Sequence, residues 1–332
     1  MITNVDVVVG LAWGDEGKGK VTSHLTKTND YDYVCRWAGG ANAGHTVYVN
    51  DKEYKTHLIP SGIFHNVPSI IGPGCVVNKE KLYEELNYLH SNGFNIDNVK
   101  VSPRAHMVHS EHISVDKTEY KASLGTTSNG IAPCYADKAA RKGVRASEVL
   151  PEKLLWDEKL EGNILCEGAQ GVWLDLDWGN YPYVTSSTTL PYGACSLGIP
   201  PQAIKKIYGV AKVYDTRSGV DPMFPETLLE DKQLSALGKI GKEIGVTTGR
   251  RRKTQWLNLD YLIKSIQITG TTDLIINKYD ILEEFGVYKL IYSKHLASFN
   301  SIKDMESFLS SRIEELCPMI NSITFSRSPK EI

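Results

Sequence analysis

A glycine-rich turn that follows an apolar run constrains this chain more than any other feature. Residues 5–9 form a mostly apolar run typical of a buried parallel strand, and three glycines and two lysines follow among residues 14–20. Glycines let the backbone approach an anion with its N–H groups turned inward, and the next helix adds the positive end of its dipole. Residues 10–20 therefore predict a phosphate-binding turn.

Two acidic residues in this turn are unexpected at a site for anions alone. Asp15 and Glu16 place carboxylates beside the glycines, which indicates a bound cation or a proton transfer in addition to phosphate. Formally, residues 14–20 fit the first part of a P-loop, but Val21 stands where the magnesium-binding Ser or Thr of that motif is expected. The turn is thus related to a P-loop without completing one.

The charge balance excludes some classes of partner. With 37 basic and 39 acidic side chains among 332 residues, the formal charge of −2 gives no electrostatic case for nucleic acid or membranes as partners.

The six cysteines lie far apart without a CxxC pair, as expected for reduced core residues of a cytoplasmic protein. The sequence shows neither a basic targeting region nor an apolar run of about 18 residues.

Alternating apolar runs and amphipathic stretches predict an α/β fold. We expect a mostly parallel central sheet flanked by helices, similar to P-loop NTPases, with small antiparallel additions and one domain over residues 1–332. Strands are predicted at 5–9, 33–37, 69–71, 164–167, 207–214, 274–277 and near 323, and helices at 18–27, 79–92, 257–270 and 301–316. A hairpin is predicted around Asn50-Asp51, and two helices on either side of a loop at 125–130.

Three further stretches carry chemistry. Residues 42–45 (NAGH) form a second polar turn after a predicted strand, where ligands of such sheets gather. Residues 247–253 (TTGRRRK) place four cations after two hydroxyl groups, which is either a solvated charge run or a site for a small dicarboxylate. Residues 277–280 (NKYD) follow an apolar run and match the N-K-x-D guanine reader, a short motif that also recurs by chance.

In this order the motifs make the sequence resemble the adenylosuccinate synthetase family over nearly its whole length. Seven blocks match, and chance would rarely place them in the family's order. They are WGDEGKGK (13–20), NAGHT (42–46), GTT (125–127), EGAQG (167–171), YPYVTS (181–186), TTGRRR (247–252) and KxD (278–280). The length is similar to the compact form seen in archaea and some phages.

The resemblance implies a two-step ligase reaction. GTP phosphorylates O6 of IMP, and the amino group of L-aspartate then displaces phosphate to give adenylosuccinate. By resemblance Asp15 removes the N1 proton and ligates Mg²⁺ together with the carbonyl of Gly44, while His45 acts as general acid. Lys18 holds phosphate and Gln170 orients the purine, which completes the expected catalytic set.

The other expected site residues fall into two groups by resemblance. Those that bind the donor GTP and its metal are Gly14, Glu16, Gly17, Gly19, Lys20, Gly44, Thr46, Lys278, Asp280, Ser326, Ser328 and Pro329. Those that bind IMP or aspartate are Asn42, Ala43, Thr127, Arg141, Thr185, Val246, Thr247, Thr248, Arg250 and Arg252. Arg141 matches an arginine that the family supplies from the neighbouring subunit, which implies a homodimer.

Three stretches depart from the family's pattern. Ser128-Asn129 replaces Gly-Arg, residues 215–222 (DTRSGVDP) replace STRVGAGP, and residues 326–329 (SRSP) replace STGP. These departures leave an alternative open, the phage 2-aminoadenylosuccinate synthetases that join aspartate to dGMP, with ATP or dATP as alternative donors. Many of those enzymes carry serine where this chain has Asp15, so the resemblance favours IMP.

Overall fold

A computed structural model describes residues 1–245, 249–330 and 332. Its centre is an eight-stranded sheet in the order β16-β13-β10-β1-β9-β2-β5-β7, in which every neighbouring pair is parallel. The strands are β1 (Ile2–Gly10), β2 (Tyr33–Arg36), β5 (Ser69–Ile71), β7 (Val99–Val101), β9 (Gly162–Glu167), β10 (Ile204–Lys212), β13 (Asp273–Asn277) and β16 (Ser322–Phe325). The predicted parallel sheet is confirmed.

The strand order places a change of direction at β1. The chain first builds the side formed by β2, β5 and β7, inserts β9 beside β1, and then builds the other side with β10, β13 and β16. Such a switch opens a crevice at the carboxyl ends of the central strands. The turns after β1, β2, β9, β10 and β13 therefore meet at one edge of the sheet.

Nine α-helices lie among the described residues. They are α1 (Lys18–Thr28), α2 (Lys79–Ser91), α3 (Ser110–Val115), α4 (Lys121–Leu124), α5 (Ile131–Ala139), α6 (Lys232–Ile240), α7 (Leu259–Thr269), α8 (Tyr279–Phe285) and α9 (Ile302–Leu316). A π-helical turn, Asp116–Tyr120, joins α3 to α4. The predicted helix, loop and helix of residues 105–150 therefore correspond to the segment from α3 to α5. No described helix is long and apolar enough to cross a membrane.

A second sheet of four strands was not apparent in the sequence pattern. Its order is β11-β12-β14-β15, from β11 (Tyr214–Arg217), β12 (Lys253–Asn258), β14 (Tyr288–Tyr292) and β15 (His295–Phe299), with one parallel pair, β12 and β14. The predicted helix 257–270 begins too early, because Leu257 belongs to β12 and the side chain of Asn258 caps α7. The predicted strand 207–214 divides into β10 and β11.

Two hairpins differ in how visible they are in the sequence. β3 (His45–Val49) and β4 (Lys52–Thr56) join through Asn50-Asp51, and β14 and β15 join through Ser293-Lys294. All four turn residues have positive φ, as the tight turns that match strand twist require. Asn and Asp tolerate this conformation and signal the first hairpin, whereas Ser and Lys give no such signal for the second. A short parallel pair, β6 (Val76–Asn78) and β8 (His106–Val108), completes the strands.

Both faces of the main sheet are buried, which explains the apolar runs of its strands. Val5, Val7 and Val9 belong to the largest apolar cluster, and Val8 packs into another on the opposite face with Val21 of α1. All six cysteines are free thiols, and five of them are buried. This matches their expected role as reduced core residues.

A buried carboxylate joins α2 to the segment that follows β4. Glu85 accepts hydrogen bonds from the backbone N–H groups of His57, Leu58 and Ile59, at distances of 2.9 to 3.1 Å. The same segment continues to Ser61, which donates hydrogen bonds to Glu167 through its N–H and its hydroxyl. Glu85 therefore satisfies three backbone donors that have left the hairpin ladder.

A buried carboxylate also joins the strands β11 and β12. Asp215 accepts a hydrogen bond of 2.9 Å from the N–H of Asn258. Burial raises the pKa of Asp215 to about 7, although the Asn258 N–H and Lys212 favour the ionised form. Ionising this group in the folded protein is therefore unfavourable.

We predict that Glu85→Ala lowers the free energy of unfolding by about 3 kcal/mol, because it leaves three buried donors without an acceptor. Urea unfolding followed by circular dichroism measures this change. Glu84→Ala, which alters an exposed neighbour on α2, should stay within about 0.5 kcal/mol of the wild type. Equal losses for the two variants would contradict the role given to Glu85.

A second prediction concerns pH. The folded pKa of Asp215, about 7, lies above its ordinary value of 3.8, so the stability from the protonated form is complete below pH 3.8 and is lost as the pH rises towards 7. Relative to Asp215→Asn, the wild type should lose up to about 4 kcal/mol of unfolding free energy across that window.

Urea titrations of both proteins at several pH values between 4 and 8 test this. Asp97→Asn, at an exposed position, controls for the effect of the same exchange on the surface. A constant difference between wild type and Asp215→Asn at every pH would refute the prediction.

Candidate active site

A cavity of about 1010 Å³ opens at the carboxyl edge of the main sheet. Its size suits more than one small ligand, since cavities for a single ligand usually span about 300 to 1,000 Å³. The predicted site residues that line it are Gly14, Asp15, Glu16, Gly17, Lys18, Gly19, Lys20, Asn42, Ala43, Gly44, His45, Thr46, Thr127, Gln170, Thr185, Arg250, Arg252, Lys278, Asp280, Ser328 and Pro329. Motifs far apart in sequence thus meet in one place.

The remaining predicted residues lie elsewhere. Ser326 is buried behind the cavity wall and accepts a hydrogen bond from Lys20. Arg141 is exposed after α5 and does not line the cavity of its own chain. Val246, Thr247 and Thr248, predicted to bind aspartate, lie outside the described residues.

The phosphate-binding turn directs the start of α1 into the cavity. Gly17 has a φ of 97° and lies close to Asn277. A Cβ at Gly17 would stand only 2.9 Å from the side-chain amide nitrogen of Asn277. Gly19 lies against His45, where a Cβ would come within 2.7 Å of the histidine Cβ. The first turn of α1 carries no acidic residue, so its N–H groups and dipole present positive potential to a ligand.

Glu16 shapes this turn from within. Its buried carboxylate accepts hydrogen bonds from the N–H groups of Ala12 (3.2 Å) and Gly14 (2.8 Å) and from Lys18 Nζ (2.7 Å). The amide of Asn277 donates to the backbone carbonyl of Glu16 at 2.7 Å. The carboxylate therefore compensates the buried charge of Lys18 and fixes the path of the backbone around it.

His45 is held by a buried carboxylate on its far side. Its Nδ1 lies 2.6 Å from Glu167 Oε1, and Ser61 donates to Glu167 through both N–H and hydroxyl. Burial acts to raise the pKa of Glu167, but His45, Arg36 and the Ser61 N–H together hold that pKa below its ordinary value. The ionised carboxylate keeps a proton on Nδ1, which leaves Nε2 to exchange protons.

Asp15 lies opposite a cationic group. Its Oδ2 is 2.8 Å from Arg252 Nε and accepts a longer hydrogen bond of 3.4 Å from Ser218. Arg252 continues to Glu243, whose Oε2 lies 2.6 Å from Nη1. The predicted base and the predicted carboxylate-binding arginine are thus in direct contact.

The loop at 125–130 is held from three sides. Asp116, in the π-helical turn, accepts hydrogen bonds from the Thr126 hydroxyl (2.6 Å) and the Gly130 N–H (2.8 Å). Arg250 donates to the carbonyls of residues 125 and 126, both at 3.0 Å. Asn129 donates to the Ala41 carbonyl and the Thr127 hydroxyl. The asparagine that replaces the family's arginine therefore ties this loop to the turn that carries Asn42.

Gln170 presents an amide that the protein does not satisfy. Within the part of the chain described, both polar atoms of its side chain are buried without a hydrogen-bond partner. Its φ of 55° is uncommon for a residue other than glycine. A buried amide with an unused donor and acceptor suits a ligand that offers both, such as a purine edge.

Lys20 and the chain near the C-terminus form the other end of the cavity. Lys20 Nζ donates to the Ser326 hydroxyl (2.7 Å) and to the Ser328 carbonyl (2.9 Å). Burial lowers the pKa of Lys20 to about 8, an effect that Asp280 opposes and Lys278 adds to. Asp280 stands in the first turn of α8 and lines the same end of the cavity.

Oxygen atoms on this surface suit a magnesium ion that is shared with substrate. Among the described residues no group of three or more His, Cys, Asp or Glu side chains could hold a metal. Mg²⁺ usually takes only one or two carboxylates and completes its octahedron with phosphates and water. The Asp15 carboxylate and a backbone carbonyl fit that pattern, because the side-chain contacts described for Asp15 all involve Oδ2.

Several cavity residues were missed by sequence reasoning. Lys212, at the end of β10, is a buried lysine in a mostly apolar strand, a signal that could have found it. Arg217 donates to the Tyr183 carbonyl at 3.1 Å and lies 3.7 Å from Asp221. The sequence around Asp116 gave no sign that this residue belongs to the site, because Asp116 acts by accepting a hydrogen bond from Thr126, which lies in a loop ten residues further along the chain.

Comparison with known proteins shows the family to which this chain is similar. The family model for adenylosuccinate synthetase matches residues 7–163 and 153–295. The adenylosuccinate synthetases of Heliobacterium modesticaldum and Clostridium novyi are each 40% identical to this chain, over 342 and 343 residues, and both alignments cover 86% of this chain and 79% of the relative.

Solved structures extend the similarity to the fold. A fully ligated adenylosuccinate synthetase from Plasmodium falciparum has a TM-score of 0.83 at 26% identity and covers 99% of this chain and 98% of its own. The succinoaminodeoxyadenylate synthetase of cyanophage S-2L, bound to dGMP and dATP, has a TM-score of 0.75 at 20% identity and covers 99% and 94%. At that identity the second likeness concerns the fold alone. With the family model spanning most of its length, this chain belongs to the adenylosuccinate synthetase family, whose members are ligases that form a C–N bond.

Proposed function

We propose that this protein joins L-aspartate to C6 of IMP, with GTP as the energy donor, to give adenylosuccinate, GDP and phosphate. The observation that carries the proposal is the meeting of three groups in one cavity, namely the carboxylate of Asp15, the His45–Glu167 pair and the guanidinium of Arg252. The reaction needs a base, an acid and a carboxylate-binding cation, and these groups supply one of each. The free cysteines support a reducing, cytoplasmic compartment.

The first step makes O6 of the purine a nucleophile. Asp15 takes the proton from N1, so that the electrons of the ring amide move to O6, which attacks the γ-phosphorus of GTP. His45 donates a proton or a hydrogen bond from Nε2 to oxygen atoms that gain charge, and Glu167 stabilises the imidazolium that acts as the donor and then holds the neutral ring through Nδ1. In the second step the amine of aspartate attacks C6 and phosphate leaves.

The phosphate turn and a divalent cation carry the charge of the transferring group. The N–H groups at the start of α1 and Lys18 face the phosphates, and Glu16 keeps Lys18 in place. Asp15 and the carbonyl of Gly44 would hold Mg²⁺, which when bound neutralises the phosphate oxygens and aligns them for transfer.

The two nucleotides are assigned to different parts of the cavity. We assign the donor base to the end near Asp280, whose carboxylate can accept the N1 and N2 hydrogens of guanine, with Lys20 bracing the wall formed by Ser328 and Pro329. Adenine offers no such pair of donors. The acceptor nucleotide is assigned to Gln170 and to the residues Asn42, Ala43, Thr127, Thr185 and Arg250, with Arg141 contributed by a second subunit of a homodimer.

Aspartate is assigned to the wall that contains Arg252. An arginine can bind a carboxylate through two parallel hydrogen bonds, and the stretch 246–248 would add backbone and hydroxyl donors. The contact between Arg252 and Asp15 supports this position, because it brings the amino-acid substrate close to the group that activates the purine.

The alternative acceptor, dGMP, is supported by one feature of the cavity. Arg217, Ser218 and Gly219 line it, and Ser218 is one of the residues by which the stretch 215–222 departs from the family's pattern near the expected ribose. A cyanophage protein of the same fold binds dGMP and dATP. The retained Asp15 and the relatives at 40% identity support IMP more strongly.

A substrate competition tests the proposal. The purified protein is given L-aspartate, Mg²⁺ and either IMP or dGMP, each with GTP or ATP, and the succinylpurine product is measured by absorbance and mass. We expect turnover with IMP and GTP, because Asp15 is present as the base. Activity with dGMP alone would replace IMP by dGMP, and activity with neither acceptor would refute the ligase assignment.

Replacement of the acid tests the mechanism. His45→Asn should lower kcat by about 100- to 10,000-fold, the usual contribution of a positioned acid or base, with KM for both nucleotides little changed. Initial-rate kinetics and nucleotide binding by calorimetry measure the two effects. His295→Asn, an exposed histidine on β15, serves as the control, and an active His45→Asn protein would contradict the role of His45.

A further inference from the structure

Glu243 is a buried carboxylate surrounded by cations that line the cavity, although Glu243 itself does not line it. Its Oε2 lies 2.6 Å from Arg252 Nη1, and its Oε1 lies 3.3 Å from Lys212 Nζ and 4.0 Å from Lys278 Nζ. The hydroxyl of Tyr214 donates to Oε1 at 2.8 Å. One carboxylate behind the wall therefore contacts three cationic groups within it.

The three cations stabilise the ionised form of Glu243. Burial opposes ionisation, but Lys212, Arg252 and Lys278 lower the pKa of Glu243 to about 2. A buried negative charge offsets the repulsion among cations that would otherwise be held together in a region of low dielectric.

Of the three cations, Arg252 depends most on Glu243. Lys278 Nζ also donates to the Gly241 carbonyl at 2.9 Å, and Lys212 Nζ donates to the Thr216 hydroxyl at 2.5 Å. The side chain of Arg252 contacts Glu243 through Nη1 and Asp15 through Nε. The two lysines thus keep a neutral partner if Glu243 is lost, whereas the side chain of Arg252 would keep, among the residues that the structure describes, only Asp15.

The backbone strengthens the link between Glu243 and Arg252. The N–H of Arg252 donates to the Glu243 carbonyl at 3.0 Å, so both the main chain and the side chain of the arginine are anchored to the same residue. A planar guanidinium held at Nη1 and Nε presents its other N–H groups in a fixed direction. That direction decides whether a carboxylate can be bound through two parallel hydrogen bonds.

We propose that Glu243 is a positioning residue for the amino-acid substrate, which holds the Arg252 guanidinium in the orientation that binds a carboxylate of aspartate. The inference rests on the proposed function of the cavity. Glu243 does not touch the substrate, and it acts through Arg252. Without it, Arg252 rotates towards Asp15 and its capacity to bind a second carboxylate falls.

The test separates the KM values of the three substrates. Glu243→Gln keeps the shape of the side chain and removes its charge, and we expect KM for aspartate to rise by about tenfold or more, as for loss of a charge-assisted hydrogen bond. KM for IMP and for GTP should change by less than about twofold, because their assigned contacts do not pass through Arg252 and Lys278 keeps its hydrogen bond to the Gly241 carbonyl.

Glu226→Gln is the matched control. Glu226 pairs with Lys253, the residue after Arg252, at 3.0 Å, and neither residue lines the cavity. This control removes an exposed glutamate charge that pairs with the neighbour of Arg252 in the sequence, and it should leave all three KM values unchanged. An equal rise in KM for aspartate in both variants would overturn the proposal.

A double-mutant cycle distinguishes positioning from general structural support. In an Arg252→Ala background, Glu243→Gln should raise KM for aspartate no further, because the group through which it acts is absent. Additive effects, or a parallel rise in all three KM values, would show that Glu243 only supports the fold and would overturn the proposal.

A second variant, which perturbs the structure less, tests the proposal if Glu243→Gln does not fold. Tyr214→Phe removes the hydrogen bond to Oε1 and keeps the charge, and should raise KM for aspartate about threefold while the other KM values stay constant. Unchanged kinetics in that variant would then overturn the proposal. A wild-type protein that does not use aspartate would refute the proposed function itself, whereas an active wild type with an unaffected Glu243→Gln would refute only the inference.

Discussion

The carboxylate of Glu16 lies inside the phosphate-binding turn, and the geometry of the cavity depends on it. It accepts hydrogen bonds from two backbone N–H groups and from Lys18. Gly10 and Gly171 approach it so closely that a Cβ on either would come within 2.4 Å of a carboxylate oxygen. A larger residue at these positions would displace Glu16, and with it Lys18 and the start of α1. An acid that looks unfavourable for anion binding is thus what allows a lysine to be buried in the turn.

The same arrangement occurs three times around the cavity. In each case a buried glutamate contacts a basic group that lines the cavity, in the pairs Glu16–Lys18, Glu167–His45 and Glu243–Arg252. A buried basic group without a partner would lose its charge or move towards solvent, because the interior solvates ions poorly. The paired glutamates hold these groups in place, so that ligand phosphates and carboxylates meet a site that is already organised.

The parallel core of the fold was predictable because its strands are buried on both faces. Short apolar runs such as residues 274–276 give a strong local signal, and the turn Asn50-Asp51 identifies its hairpin through residues that tolerate positive φ. The second sheet was not predictable on this basis. β12 contains polar residues, and the turn of the β14–β15 hairpin uses Ser293 and Lys294, which rarely indicate such a conformation.

By itself the sequence determined the family and the phosphate turn, and most of the site residues predicted from it line the cavity, since these depend on short motifs whose chemistry is local. Only the tertiary structure decided what stands behind them. Glu167, Glu243 and Asp116 hold groups that other segments of the chain contribute. Arg252 contacts Asp15 although the two residues lie 237 positions apart in the sequence. Contacts of this kind follow from the packing of strands and loops at one edge of the sheet. No periodicity or motif along the chain encodes them.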